Sequence, residues 1–510
     1  MVEVLRKKQK LIFVIFVFLI FMVSFLTFWR AFGFDFWGED WEQIWYAVFS
    51  PSLINNQQIY PHPIVIYEEL FLAKFLGFNT LYWQTIGYLL KVLGAFAVSL
   101  MMLGITRSKR VAIFTGLIYA SSVGGLASVT WVAAQASALE IPFLCLGIYF
   151  WITKKNYVLA LALLIFSIWA DPSRGIFGCL IVILWDILTY IQNTNKVISI
   201  KPWKRVLILI IAIFFIKSFL LGQRFFEILP TLDVNINYIV NYPIEVLTNF
   251  LNTLGNLLVG WFISIPQNVF AVSIPTFIGI AAGYLFLFQT IFLLVYFLKK
   301  KNESFKILFI FSIWIVVFFL PNWLLADNSM IGSERRVLGQ THRYLTLSAV
   351  GLACFLGYAL SRVKRNHLQG FLLLFVVGSN IVISNQILKK EAYYRSTEVT
   401  KPMWDKIEKD VPVGEENSLF FIRGEDKFRV NDISQIKIPF AIRRGIISRD
   451  KWPGSTSDPG VVKRYMCGNT DDRRIVPLSR LHVWYIKGNT LDNISEKVRK
   501  EFSEMDCSSQ

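Results

Sequence analysis

The chain is a series of long apolar runs, most of them separated by short polar or basic segments. A helix that crosses the hydrocarbon core of a bilayer needs roughly 20 apolar residues. The pattern therefore predicts a mainly α-helical, polytopic transmembrane bundle of about eleven spans. The predicted spans are 11–29, 86–104, 111–130, 137–153, 157–170, 175–192, 205–222, 272–298, 306–325, 344–361 and 368–386.

Clusters of Lys and Arg between these runs indicate the orientation. Membrane proteins keep such clusters on the cytoplasmic side, and with eleven spans every cluster falls on one side. This predicts a multi-pass protein of the plasma membrane, with a cytoplasmic N-terminus and an extracytoplasmic C-terminal region. The first run is too long for a secretory signal core, and no small-residue cleavage site follows it. We therefore interpret it as a retained anchor.

Two stretches do not fit the pattern of simple spans. Residues 238–266 are apolar but interrupted by Pro, Asn and Gly, and a twelfth span there would place Lys299, Lys300 and Lys301 outside. We interpret this stretch as interfacial or re-entrant helices within an outer-face loop. Residues 64–78, which contain a pair of glutamates, are interpreted in the same way.

From residue 390 the sequence becomes polar. We divide the chain into a transmembrane domain at 1–389, whose first outer loop covers about 30–85, and a small extracytoplasmic α/β domain at 390–510. In the second domain the pattern predicts helices and strands. Helices are predicted at 397–410 and 490–504, and strands at 418–423, 437–443 and 481–487. Cys467 and Cys507 are a candidate disulfide, because an oxidising exterior would allow them to pair.

Composition supports the membrane interpretation. Apolar residues make up 55% of the chain and charged residues only 17%, whereas a soluble domain is usually about a quarter charged. The formal net charge of +17 could suggest a nucleic-acid partner. The basic residues are spread over the inter-span clusters, so we assign them to topology and expect no nucleic acid.

The first outer loop carries the densest group of acidic residues. Asp35, Glu39 and Asp40 lie among Trp and Phe residues just beyond the first span. Carboxylates held near the membrane surface have limited water, which favours a general base or a site for a divalent cation such as Mg²⁺ or Mn²⁺, with Asp35 and Asp40 as its ligands. The alternative is a hydrated loop that begins with acidic residues.

Two further stretches hold candidate binding residues. Tyr60 and His62 lie in a Tyr-Pro-His-Pro sequence, where the prolines fix the backbone. The loop before the tenth predicted span contains Arg336, His342 and Arg343 on the predicted outer side, where arginines are uncommon. A guanidinium there suits a phosphate. The alternatives are a rigid turn for His62 and contact with lipid headgroups for Arg343.

A tight outer turn between two spans contains Asp171 and Arg174. The pair can hold an acceptor in position, or it can simply close the turn. Glu140 is a lone acid at the start of the fourth span, and Lys91 within the second span is costly unless it is paired. The sequence has no Walker loop, Rossmann glycine pattern or His-Glu-x-x-His motif, which leaves soluble nucleotide-driven chemistry without support.

Together these motifs resemble the GT-C superfamily of membrane glycosyltransferases, and within it the family 39-like and protein O-mannosyltransferase-like group. The resemblance rests on four sequence motifs in the predicted architecture of residues 1–385. They are Gly38-Glu39-Asp40-Trp41 after a single N-terminal helix, the Tyr-Pro-His-Pro stretch leading to Leu76-Gly77-Phe78-Asn79, the segment Gly116 to Ala138 with Trp131 and Gln135, and His342-Arg343-Tyr344-Leu345.

The resemblance implies a sugar donor linked to a polyprenyl phosphate and an acceptor hydroxyl on a protein, glycan or lipid of the cell envelope. A carboxylate of the first outer loop would act as the base or help to bind a cation. In this chain the pair is Glu39-Asp40, with Asp35 as a rival, and the order departs from the family pattern. Arg343 would hold the phosphate leaving group. A transporter or flippase of lipid-linked glycans, or a ligase, is the alternative.

Overall fold

The computed structural model describes residues 2–49, 71–153, 156–192, 239–263, 265–266, 272–273, 275–325, 341, 343–425, 436–448, 451–467 and 475–503. These residues fall into two compact units. The first takes its described residues from Met1–Phe32 and Tyr82–Lys390. The second takes its described residues from Gly33–Gln57, Glu68–Leu81 and Glu391–Gln510.

Helices dominate the described residues of both units. Helices α2 and α14 to α17 belong to the second unit, and the first residues of α3 and the last of α13 also fall there. Along the chain the helices are α1 (Val2–Phe28), α2 (Glu39–Phe49), α3 (Thr80–Thr106), α4 (Lys109–Ser121), α5 (Ala127–Thr130), α6 (Ala136–Thr153), α7 (Tyr157–Ala170), α8 (Pro172–Gln192), α9 (Pro243–Ile263), α10 (Thr276–Lys300), α11 (Glu303–Leu325), α12 (Thr346–Ser361), α13 (Asn366–Arg395), α14 (Thr397–Asp410), α15 (Lys437–Arg443), α16 (Pro459–Cys467) and α17 (Ser495–Ser503).

The first unit is a helical bundle of a multi-pass membrane protein. Within the described residues nine helices are long and apolar enough to cross a membrane. Helix α7 is apolar but has only 14 residues, and α4 has 13. The predicted span at 205–222 lies outside the described residues. The predicted count of eleven is therefore not confirmed, whereas the mainly helical, polytopic class is.

Two segments of the bundle differ from the sequence prediction. The span predicted at 111–130 is two helices, because α4 ends at Ser121 and α5 begins only at Ala127 after two glycines. Within 238–266, where several interfacial or re-entrant helices were expected, Pro243–Ile263 form α9, one continuous helix of 21 residues that is long and apolar enough to cross a membrane. Its asparagines and glycines face neighbouring helices, since Asn252, Gly255 and Asn256 are buried.

Close helix packing fixes the centre of the bundle. A Cβ on Gly351 of α12 would lie 2.6 Å from the Trp314 ring, and one on Gly357 would lie 2.9 Å from the Cα of Thr115 in α4. The Trp314 indole nitrogen donates a hydrogen bond to the Leu347 carbonyl at 2.8 Å. Helix α12 is therefore held in a fixed position between α4 and α11. The short turn that leads into it is held in place as well.

Lys91 lies in the middle of α3 and is only 3% exposed. Its ammonium donates to the Ser122 carbonyl at 3.1 Å, where the chain leaves α4, and lies 4.3 Å from the centroid of the Tyr119 ring. A charge buried in a membrane bundle needs such partners. The carbonyl left without a helical partner at the end of α4 supplies one.

The second unit contains a four-stranded sheet with helices around it. Its strands are β3 (Leu419–Gly424), β4 (Gly454–Thr456), β5 (Leu481–Lys487) and β6 (Thr490–Asn493), in the order β4-β3-β5-β6, while β1 (Ile265–Pro266) and β2 (Val272–Ser273) form an antiparallel pair elsewhere in the chain. Strand β3 runs parallel to β4 and β5, and β6 is antiparallel to β5. The small α/β architecture predicted for the C-terminal region is confirmed.

Two elements of this unit were predicted wrongly. The run Lys437–Arg443 is helix α15 rather than a strand, because a short apolar run has no periodicity that separates the two. The predicted helix at 490–504 is strand β6 followed by α17. The Asn493 side chain accepts a hydrogen bond from the Ser495 backbone N–H at 3.0 Å, which starts α17 only there.

Candidate active site

Arg343 begins a short 3₁₀ turn, Arg343–Leu345, that leads into α12. Its side chain is partly exposed. The guanidinium carbon lies 4.7 Å from the centroid of the Trp131 ring and 5.4 Å from that of Tyr344. Within the described residues this guanidinium has no carboxylate partner. Aromatic faces hold a cation without neutralising it, so the charge remains available to an anion.

The chain break between α4 and α5 brings Trp131 to this place. Gly125 has a φ of +70°, and a Cβ there would lie 2.4 Å from the Thr346 Cα, so both its conformation and its space require glycine. The Ala127 N–H donates to the Thr341 carbonyl at 2.9 Å. The break therefore packs α5 directly against the chain that surrounds Arg343.

Helix α3 supports Trp131 from another side. The Gln84 amide donates to the Thr130 carbonyl at 3.0 Å, and the Gln135 amide donates to the Trp83 carbonyl at 3.2 Å. A Cβ on Gly87 would lie 2.0 Å from the Val129 carbonyl oxygen. The segment around Trp131 is thus anchored before and after the indole, which fixes the ring under the guanidinium.

Two more donors near Arg343 are buried without a hydrogen-bond partner among the described residues. They are the Trp131 indole N–H and the Thr341 hydroxyl. A buried donor without a partner costs free energy of about 1–3 kcal/mol, so its retention needs an explanation. Together with the guanidinium these groups suit an oxyanion that offers several acceptor oxygens, such as a phosphate.

Next to this site lies a buried charged cluster formed by Glu140, Asp171 and Arg174. Asp171 follows the last residue of α7, and Arg174 lies in the first turn of α8. The two side chains form an ion pair. Glu140 of α6 is fully buried, and its Oε1 accepts a hydrogen bond from the Ser167 hydroxyl at 3.4 Å. Two carboxyl groups and one guanidinium therefore share this interior site.

The acidic residues that follow α1 lie in the second unit. Asp35 is 6% exposed, and its two oxygens accept hydrogen bonds from the Phe36 N–H at 2.8 Å, the Thr400 hydroxyl at 2.6 Å and the Trp404 indole at 3.2 Å. Its own N–H donates to the Arg395 carbonyl at 2.7 Å. These bonds tie the acidic segment to α14 and leave Asp35 few lone pairs for a cation.

Asp40 is fully buried near the start of α2. Its Oδ2 accepts a hydrogen bond from the Trp37 N–H at 3.0 Å, and its own N–H donates to the Trp37 carbonyl at 2.9 Å. A carboxylate in the first helical turn also interacts favourably with the helix dipole. Glu39 is the first residue of α2, and its side chain lies outside what the structure describes.

Arg395, which belongs to the second unit, has surroundings that differ from those of Arg343. Arg395 is 2% exposed, and its Nε lies 3.1 Å from the Glu391 carboxylate. The guanidinium carbon lies 4.5 Å from the Phe34 ring centroid and 5.9 Å from that of Trp37. The Arg395 carbonyl accepts the Asp35 N–H, so the pair lies beside the turn that carries Asp35.

Several predicted site residues lie outside the described residues, namely Tyr60, His62, Arg336, His342 and Cys507. Cys467 is disulfide-bonded, while Cys145, Cys179 and Cys354 are free thiols. In the parts of the chain that the structure describes, no group of three or more His, Cys, Asp or Glu side chains could hold a metal ion. Mg²⁺ or Mn²⁺ binding by Asp35 and Asp40 stays a prediction.

The partners that define both regions were not predicted from the sequence. Trp131 is part of a motif but had no predicted role, and Thr341, Thr346 and Glu391 were not among the candidate residues. A signal existed for Trp131, because two glycines shortly before it mark a break in an apolar run. No local signal marks Thr341, Thr346 or Glu391, since these residue types are common at such positions and their contacts form only in the folded structure.

No family model matches the sequence, and no curated protein matches it. Solved structures do resemble the fold. The oligosaccharyltransferase of Archaeoglobus fulgidus in the apo form is matched over 93% of this chain and 69% of its own, with 11% identity and a TM-score of 0.48. The oligosaccharyltransferase AglB from Archaeoglobus fulgidus, in complex with an inhibitory peptide and a dolichol-phosphate, is matched over 94% of this chain and 69% of its own, with 10% identity and a TM-score of 0.46.

A second neighbour is ArnT from Cupriavidus metallidurans bound to undecaprenyl phosphate. It is matched over 92% of both chains, with 12% identity and a TM-score of 0.35. These structural neighbours are membrane glycosyltransferases of the GT-C class, the class that the sequence motifs resemble. The likeness is distant, and the lipids and peptides in those structures are ligands of those proteins.

Proposed function

We propose that the protein is a membrane glycosyltransferase that moves a sugar from a polyprenyl-phosphate-linked donor to an acceptor hydroxyl on the extracytoplasmic face. The observation that carries the proposal is the Arg343 guanidinium, which lies partly exposed against the Trp131 and Tyr344 rings without a carboxylate partner among the described residues. Arg343 binds the donor phosphate, and we propose that His342 and Arg336, which precede it in the sequence, also contribute to phosphate binding.

The chemistry of this transfer needs a cation at the leaving group. The bond between the anomeric carbon and the phosphate oxygen breaks, and the phosphate leaves with the electron pair. A guanidinium with a fixed position stabilises the developing negative charge. The acceptor oxygen forms the new bond to the anomeric carbon, which inverts the configuration when one displacement operates. Arg343 is suited to the first part because its bidentate fork matches phosphate oxygens.

A carboxylate of the acidic segment is the proposed base that takes the proton of the acceptor hydroxyl. Asp40 is the first candidate, with Asp35 and Glu39 behind it. Asp35 ranks lower because three hydrogen bonds already occupy its oxygens. Tyr60 and His62 are proposed to position the acceptor. A divalent cation is an alternative role for Asp35 and Asp40, and no step of the mechanism depends on it.

The direct test compares Arg343→Ala with the same substitution of a matched arginine at the other end of α12. Arg362 follows α12, lies over the Tyr358 ring at 4.9 Å and donates to the Tyr358 hydroxyl at 2.6 Å. Both substitutions remove a cation that lies over an aromatic ring, with two rings at Arg343 and one at Arg362. Sugar transfer from a polyprenyl donor should be lost in Arg343→Ala and retained in Arg362→Ala. Equal activity in the two variants would overturn the role of Arg343.

The base is tested separately. Asp40→Asn, Asp35→Asn and Glu39→Gln keep the size of each side chain and remove its ability to accept a proton. Only the variant of the true base should lose transfer while it still binds the donor. Full activity in Asp40→Asn, Asp35→Asn and Arg343→Ala together would exclude the proposed site.

A transporter or flippase of lipid-linked glycans is the second candidate. The buried charges of Lys91, Glu140 and Arg174 favour it, because transporters place such groups on substrate pathways. Reconstituted vesicles separate the two functions, since a transferase forms a glycosylated acceptor and a transporter only moves the donor across the bilayer. A ligase shares the donor but joins a complete glycan, which the size of the transferred group reveals.

A further inference from the structure

The turn between α7 and α8 carries an ion pair in the interior of the first unit. Asp171 is fully buried and Arg174 is 3% exposed, and the two side chains are in direct contact. Removing two charges from water costs several kcal/mol per ion, and their attraction only partly offsets it. A buried pair at a turn is therefore weak support for a purely stabilising role, and its other contacts indicate what it does.

A second nitrogen of the Arg174 guanidinium contacts the main chain of Arg343. Its Nη1 donates to the Arg343 carbonyl oxygen at 3.2 Å, and its guanidinium carbon lies 5.9 Å from the Tyr344 ring centroid. The contact joins residues that are 169 positions apart in sequence. A lysine could not readily serve here, because only the planar fork of arginine donates in two fixed directions at once.

The Arg343 carbonyl has a second donor. The Thr346 hydroxyl, which is 2% exposed, donates to the same oxygen at 2.6 Å. Two hydrogen bonds from different directions therefore fix the peptide group that follows the Arg343 side chain. The guanidinium itself makes only aromatic contacts among the described residues, so its direction depends largely on how firmly that backbone is held.

We propose that Arg174, with Asp171 as its counter-ion, is a positioning residue that aims Arg343 at the phosphate of the donor. This inference rests on the proposed function, because it assigns Arg174 to the same phosphate site. Arg174 acts through the main chain of Arg343 and touches no reacting atom. Small errors in the placement of a binding group lower affinity and activity. The buried pair prevents such errors at Arg343.

The test is a double-mutant cycle on the full chain, with a polyprenyl monophosphate without sugar as the probe. Arg343→Ala should weaken its binding about 100-fold, and Arg174→Gln should weaken it about tenfold. A positioning residue works only through the residue it positions. The double variant Arg174→Gln/Arg343→Ala should therefore bind no more weakly than Arg343→Ala alone.

Two further variants keep the result interpretable. Thr346→Val removes the other donor to the same carbonyl with little change in volume, and it should also weaken binding only while Arg343 is present. Asp186→Asn is the control, because Asp186 is 7% exposed and accepts a hydrogen bond from the Trp151 indole at 3.0 Å, away from Arg343. It should bind the probe as the unmodified protein does.

The outcomes separate the two proposals. Unchanged affinity in Arg343→Ala would overturn the proposed phosphate site, and the positioning role with it. Loss of affinity in Arg343→Ala, together with full affinity in Arg174→Gln and Thr346→Val, would overturn the positioning role alone. An additive loss in the double variant would also overturn it, because Arg174 would then act independently of Arg343.

Discussion

Arg343 in the first unit and Arg395 in the second have similar aromatic neighbours and different charges around them. Each guanidinium carbon lies within about 6 Å of two aromatic rings, a distance at which cation–π attraction acts. Arg395 is buried and paired with Glu391, whereas Arg343 is partly exposed and has no carboxylate partner in the described residues. The counter-ion, rather than the aromatic contact, separates an arginine whose charge is neutralised within the fold from one whose charge is available to a ligand.

The largest expected effect is on the stability of the second unit. Arg395→Ala leaves the buried Glu391 without its cation, which should lower the free energy of unfolding by about 3–5 kcal/mol. Thermal unfolding of the purified protein in detergent measures the change. The double variant Arg395→Ala/Glu391→Gln should recover part of it, because both charges are then gone. An equal loss of stability in Arg343→Ala would remove the contrast between the two arginines.

The next effect is on activity. Arg343→Ala should reduce kcat of sugar transfer about 10²- to 10³-fold, the usual cost of losing one donor to a developing anion. Its unfolding midpoint should stay that of the unmodified protein, since no buried partner is left unpaired. The kcat of Arg343→Lys should fall between those of the unmodified protein and Arg343→Ala, because an ammonium provides the charge without the two-pronged geometry of a guanidinium. A stable protein with full activity in Arg343→Ala would contradict the comparison.

A smaller effect is expected at Asp35, whose N–H donates to the Arg395 carbonyl. Asp35→Asn places an amide nitrogen among donors from Thr400 and Trp404, which should cost about 1–3 kcal/mol of stability. Transfer activity per folded molecule should change little. A large loss of activity without a loss of stability would instead make Asp35 the base in place of Asp40.

The last effect concerns the support of Arg343. Gly125→Ala forces an L side chain into a left-handed conformation, at about 1–2 kcal/mol, and its Cβ would lie 2.4 Å from the Thr346 Cα, which adds to that cost. Unfolding midpoint and donor KM should both worsen. The control is Gly370→Ala in α13, where a Cβ meets nothing within 4 Å and the helix should gain about 0.5–1 kcal/mol. Similar behaviour of the two variants would show that the break does not matter.

Elements with strong local signals were predictable from the sequence. Helix α7 and strand β5 have the predicted limits, because uninterrupted apolar residues or β-branched and aromatic runs define them. Helix α15 was not predictable as a helix, since seven residues fit either form. The break before α5 was also missed, although its glycines were visible, because the flanking residues are apolar enough to continue a span.

The candidate site was predictable only in part. Arg343 carried a signal of its own, a cation in the sequence next to an apolar run. Its partners Trp131 and Arg174 come from distant parts of the chain. Arg174 and Thr346 act through the main-chain oxygen of Arg343. Hydrogen bonds to backbone carbonyls leave no pattern of residue types, so sequence alone could not link Arg174 to Arg343.

Lys91 has a consequence for how the protein is made. Its partner carbonyl at Ser122 follows it by 31 residues, and synthesis at about 5–20 residues per second delivers that partner roughly 2–6 s later. Until then the ammonium adds about 2.5–3.5 kcal/mol to the cost of inserting α3. We expect α3 to be integrated stably only as a hairpin with α4. Nascent chains truncated before or after Ser122 test this, with a tag that reports membrane integration of α3. The integrated fraction of α3 should differ between the two lengths in the wild type and be equal in Lys91→Leu.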